Sequence, residues 1–250
     1  MSVAQIENQL LTYSDTVARN LTVVSKADSS TPDLYHISMD PSIKVFIPRI
    51  STRQMSSEDR TVPRVVAATS LYGCILAYAS AHEDYMSMDS KQADKSSKWR
   101  NGYYIYKLDY DVCLKPTSKL VPDVGFTDET WLVPYSQETK DYKAARIGKV
   151  FITEIKNIIM GDKLPEVEAT ACIEILDPAG IQLSKNKRLT QGYWMVELPI
   201  WDRQSWKNLS WKDDKEVIAK QISKEVYLGY KQRVASLLGL TENAPAYAQW

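Results

Sequence analysis

Residues 33–80 read DLYHISMDPSIKVFIPRISTRQMSSEDRTVPRVVAATSLYGCILAYAS, and the fold is read outward from them. Leu34 to Met39 (LYHISM) is a short run of residues that favour strands. Asp40-Pro41 ends it, because proline cannot donate to a strand ladder and restricts the residue before it. Val45, Phe46 and Ile47 form a second apolar run, stopped by Pro48. Val65 to Ala68 form a third, after which Thr69 or Ser70 caps a helix. Leu71, Cys74, Ile75, Tyr78 and Ala79 then share one helical stripe, and Gly73 allows a close backbone approach.

The same stretch carries the candidate site. A histidine inside a strand, as His36 is, reads either as a core or edge residue with one satisfied hydrogen bond or as a contact to a ligand between two sheets. Glu58, Asp59 and Arg60 read as a solvated loop with local ion pairs. Arg64 directly precedes a buried strand and is placed to grip a phosphate bidentately.

Composition bounds the function. Thirty-one Lys and Arg balance 31 Asp and Glu in 250 residues, so no global field recruits nucleic acid. The three cysteines, Cys74, Cys113 and Cys172, are odd in number and far apart, which argues against a disulfide framework and for a reducing, cytoplasmic setting. With only His36 and His82, no zinc spacing arises, and no P-loop, dinucleotide fingerprint or nucleophile elbow is present. No signal peptide is evident, and no apolar run approaches the roughly 20 residues that span a bilayer, so no membrane role is expected.

Upstream, residues 2–25 read as one amphipathic helix with Val3, Ile6, Leu10, Tyr13, Val17 and Leu21 as its stripe, docked on the protein's own core or serving as a partner-binding arm. Downstream, Met86 to Lys98 reads as a polar surface loop and Gly102 to Leu108 as a strand. Cys113 to Pro122 reads as irregular, Glu129 to Val133 as a strand, Lys140 to Arg146 as a charged loop and Ile147 to Met160 as a long strand. Ala169 to Leu176 and Tyr193 to Leu198 form a hairpin-like pair across the basic turn SKNKR. Trp194, Trp201, Trp206 and Trp211 with Arg203, Lys207 and Lys212 read as an aromatic core, or as a base-stacking platform that the neutral net charge does not support. Asp213 to Leu238 reads as a helix with Ile218, Ile222, Val226, Tyr230, Val234 and Leu237 as its stripe, stopped by Gly239. The expected organisation is a helical arm (1–28), an α+β core (29–160) and a C-terminal strand pair with a helix (161–250).

The order of a strand carrying Tyr35-His36, a strand entering a helix through Thr69-Ser70, an aromatic strand and a strand headed by Glu129 resembles the ADP-ribosyltransferase fold. That resemblance implies an α+β class with a mixed or antiparallel split sheet and NAD as cofactor. It implies a nucleotide ligand together with a protein target. Residue by residue, His36 would contact NAD and Glu129 would be the catalytic carboxylate, while Thr69 and Ser70 match the hydroxyl positions. Tyr72 or Tyr103 would lie under the nicotinamide, with Tyr35 and Arg64 beside the nucleotide. Thr127 stands where the arginine-modifying toxins of that family carry a second acid. YHIS, PRIS, EDRTVPR and the run from Val121 to Trp131 also look similar to bacteriophage proteins, which implies as the alternative a non-catalytic virion or host-interaction protein.

Overall fold

A computed structural model of the chain describes residues 2–27, 32–50, 58–77, 102–134, 141–158, 166–201 and 217–237. The Met86–Lys98 loop, Trp206, Trp211 and the C-terminal tail lie outside the described residues. The chain divides into two units, Met1–Ala77 with Ile105–Arg146, and Tyr78–Tyr104 with Ile147–Trp250. The sequence placed boundaries at 28 and 160 instead.

The first unit begins with α1 (Val3–Leu10), where Ser2 and Gln5 form a reciprocal capping box, and α2 (Asp15–Ala18), whose Val17 amide is capped by Ser14. The single helix expected over 2–25 is therefore broken. Ser14 starts a new helix, and β-branched Thr22, Val23 and Val24 lie in strand β1 (Leu21–Ser25). The stripe survives the change of structure, since Ile6, Val17 and Leu21 are buried together against Leu114 and Trp131.

The remaining strands of this unit are β2 (Leu34–Ser38), β3 (Val45–Phe46), β4 (Val65–Ala68), β5 (Tyr103–Leu108, its first two residues in the second unit), β6 (Val112–Pro116) and β7 (Glu129–Leu132). Their order in the sheet is β1-β6-β7-β4-β2-β5. The pairs β1–β6, β6–β7, β7–β4 and β4–β2 are all antiparallel. Of the segment expected to be irregular, Cys113 to Pro122, the first residues belong to strand β6, with Pro116 as its last residue, and residues 117–122 are turn and coil as expected. Helix α3 (Leu71–Ala77) follows β4 as expected, and the Ser70 hydroxyl accepts from the Gly73 amide at 3.0 Å. A short α4 (Val124–Thr127) precedes β7.

Alternation along the strands separates two cores. Val62, Val112, Leu114, Trp131 and Val133 pack on one face of the sheet with the N-terminal helices. Leu34, Val65, Ala67, Cys113, Leu132 and Tyr142 pack on the other.

The long strand β8 (Tyr142–Ile158) starts in the first unit, where Phe46 pairs with Tyr142, and continues in the second. Lys140–Arg146 was expected to be a loop. Lys140 lies outside the described residues, but Tyr142 to Arg146 are strand, with Tyr142 buried at 2 % exposure and its hydroxyl donating to the Val133 carbonyl at 2.6 Å.

In the second unit, β8, β9 (Glu166–Ile175), β12 (Gly192–Trp201) and β13 (Ile218–Ile222) lie in that order, antiparallel. The expected pair is β9 with β12. The basic turn belongs to a separate hairpin, β10 (Ile181–Ser184) and β11 (Lys187–Leu189), inserted between them. The C-terminal helix α5 (Lys224–Leu237) is shorter than expected, because Ile218 to Ile222 pair with β12 as a strand and Ser223 caps the helix behind them. Tyr227 of α5 packs on Phe151 and Cys172.

The class is therefore α+β, built on antiparallel sheet. No helix among the described residues is long and apolar enough to cross a membrane.

Candidate functional site

The left-handed turn at Asp128 positions the acid singled out by sequence. Asp128 has φ +49°, and its amide closes α4 on the Val124 carbonyl at 3.0 Å. Aspartate tolerates this conformation better than most residues. Its carboxylate also accepts from the Ser70 hydroxyl at 3.5 Å. The chain then reverses into β7 with Glu129 at its head.

Register settles which candidate residues meet. Tyr35 pairs with Ala68, and Ala68 with Glu129, so these three share one row and one face of the sheet. Trp131 and Val66 continue that face. His36, one residue from Tyr35, points to the opposite face, where its ring lies 4.6 Å from that of Phe46. The two residues expected to grip NAD together are thus separated by the thickness of the sheet.

Each is already engaged. His36 Nδ1 lies 2.8 Å from the Val66 carbonyl oxygen. A carbonyl only accepts, so Nδ1 carries the proton. Burial holds the imidazole below its usual pKa. The Val66 bond opposes that shift and Arg49 adds to it, so the ring is neutral at pH 7.

Glu129 Oε1 accepts from the Trp131 indole at 2.6 Å. Burial raises its pKa from the ordinary carboxylate range to about 7. The indole bond and Arg64 oppose the shift, and Glu58 and Asp123 add to it. Desolvation outweighs the favourable partners here.

Arg64 joins this cluster through its position in the sequence. Two residues before Val66, it lies on the Trp131 face, with its guanidinium carbon 4.0 Å from the indole centroid. The side chain is wholly buried. Nη1 donates to the carbonyls of Asp59 at 3.0 Å and Val62 at 3.2 Å, clipping the 58–64 turn from inside. The carboxylates of Glu58 and Asp59 stand 3.8 Å from Nη2 and Nη1. Burial lowers the Arg64 pKa, and Glu129, Glu58 and Asp59 counter it. Arg64 was expected to hold a phosphate. Its polar neighbours are backbone carbonyls and carboxylates, which repel an anion.

The other candidates scatter. Ser70 is buried as the cap of α3, and Thr69 beside it is half-buried. Tyr72 is half-buried, and burial pushes its phenol pKa up. Tyr103 is buried on β5 and belongs to the second unit. Among the described residues, no cluster of His, Cys, Asp and Glu is arranged to hold a metal ion. Sequence reasoning missed Trp131 as the hub of the cluster. The signal was present in ETWLV, where an alternating strand puts Glu129 and Trp131 on one face.

The fold and cluster define an α+β protein with a buried charged core beside an indole. No family model, no curated protein and no solved structure matches the chain.

Proposed function

We propose that this protein works by contact with a macromolecular partner, as a virion or host-interaction component does, and not through a His36–Glu129 catalytic pair. The supporting observation is that these two side chains face opposite sides of the sheet, each bound to a group of the fold itself. They do not fit NAD as one cleft. Surface chemistry supports the contact reading. Val45, Ile47 and Ile50 are 41 %, 53 % and 48 % exposed along one short segment, an apolar ridge of the kind that marks interaction sites.

The test is association. Light scattering of the wild type, alone and with candidate partners, should show a defined assembly or complex that Ile47→Asp with Ile50→Asp weakens without lowering the melting temperature. Unchanged association in that variant would overturn the assignment of the ridge.

A second reading, ADP-ribosyl transfer, rests on Glu129 alone. A carboxyl that ionises near neutrality suits acid–base work. It predicts NAD turnover that Glu129→Gln abolishes while the fold is kept.

A further inference from the structure

The unused half of the Arg64 guanidinium carries an inference beyond the contact reading. A guanidinium grips a carboxylate best side-on, through Nε and one terminal nitrogen. In Arg64 this edge is idle: Nε and Nη2 are buried without a hydrogen-bond partner, while Nη1 is committed to the turn carbonyls. Buried donors are rarely left so.

The nearby acids come from three places. Glu58 and Asp59 lie on the turn, with Glu58 Oε2 3.8 Å from Nη2, beyond hydrogen-bond range. Asp123 precedes α4, and Glu129 heads β7 on the same indole that Arg64 covers. Tyr13, after α1, also feels Asp59.

We propose that Arg64 is a proton-controlled latch between the 58–64 turn and β7: its idle Nε–Nη2 edge closes on the Glu129 carboxylate when Glu129 ionises and opens when Glu129 is protonated. Closure leaves the Nη1 bonds to Asp59 and Val62 in place, so ionisation ties the turn to the sheet at a second point. The switch operates near neutral pH, where burial has moved the Glu129 carboxyl. It does so against the global trend, because ionising a buried carboxyl weakens the fold as a whole. Local tightening with global loosening is a signature that a merely structural cluster lacks.

The experiment follows the tryptophan indole resonances and backbone amide exchange of the full chain from pH 5.5 to 8.5. The expected result is a Trp131 indole titration with its midpoint near 7. Exchange at residues 58–64, corrected for intrinsic rates, should slow several-fold over the same range while core amides exchange faster. Glu129→Gln should flatten both responses. Arg64→Lys has a charge but no fork, and should keep the indole titration while losing the slowing at 58–64. An indole that titrates in the wild type with unchanged or faster exchange at 58–64 overturns the latch, as does an indole that does not titrate. Neither result bears on which partner the protein contacts.

Discussion

Arg64 shows how much a single residue decides. It is buried over an indole and interacts electrostatically with Glu58, Asp59 and Glu129, so removing it leaves those acids uncompensated. Arg64→Ala should cost about 3–5 kcal/mol in urea unfolding, the range for breaking a buried charge network. A loss below about 1 kcal/mol, the scale of an exposed pair, would contradict that role.

The two titratable candidates act in opposite senses. Glu129 has a native pKa of about 7 against 4.5 unfolded, so the native state holds the extra proton between these values. Stability from this group is present below pH 4.5, falls as pH rises to about 7 and is level above, by about 3 kcal/mol in all. Glu129→Gln should remove that slope while retaining an acceptor for the indole. His36 runs the other way. Its native pKa lies below 6.5, so its contribution is present above 6.5 and fades as pH falls through that native value. His36→Ala should cost about 1–3 kcal/mol at pH 8 by stranding the Val66 carbonyl. Urea titrations of both variants at pH 5 and pH 8 separate the two effects. The sequence singled out His36 as a histidine inside a strand and Arg64 and Glu129 as charged residues at strand starts, and the structure places them so. Their partners were not legible, because these depend on the Tyr35–Ala68–Glu129 register, which no local pattern encodes.

At the scale of elements, the strands flanking the cluster were legible because β-branched and aromatic runs end at Asp40-Pro41, at Pro48 and at the Thr69-Ser70 helix cap. The errors fall where one stripe of apolar residues fits two structures. Residues 2–25 carry three-and-four spacing, yet β-branched residues and the Ser14 cap divide them into two helices and a strand. Residues 218–222 fail likewise: pairing with β12 overrides a helical pattern. Gly73 is a correctly read detail. A Cβ there would collide with the Thr127 carbonyl at the end of α4. Gly73→Ala should therefore destabilise by about 1–3 kcal/mol, the usual cost of overpacking, although alanine favours helix. Thermal melting checks it, and a stabilised variant would show that α3 and α4 do not pack closely.

For the molecule as a whole, the α+β class implied by the resemblance agrees with the antiparallel sheet and few helices of the structure, and among the described residues no helix is long and apolar enough to cross a membrane. The division into units was hidden, because β5 and β8 each run from one unit into the other and no linker composition marks the change. The contact reading belongs to this scale. Ile47 and Ile50 are exposed, so replacing them with aspartate should change stability by no more than about 0.5 kcal/mol while altering association.

The separation of His36 from Glu129 by the sheet is tested most directly by a thermal melt of the purified chain with and without millimolar NAD and ADP-ribose, beside His36→Ala and Glu129→Gln. A ligand at about a hundred times its dissociation constant adds nearly 3 kcal/mol, or several degrees. No shift in the wild type is the predicted result. A shift of several degrees that both substitutions abolish would place the two side chains on one ligand and contradict the register on which this account depends.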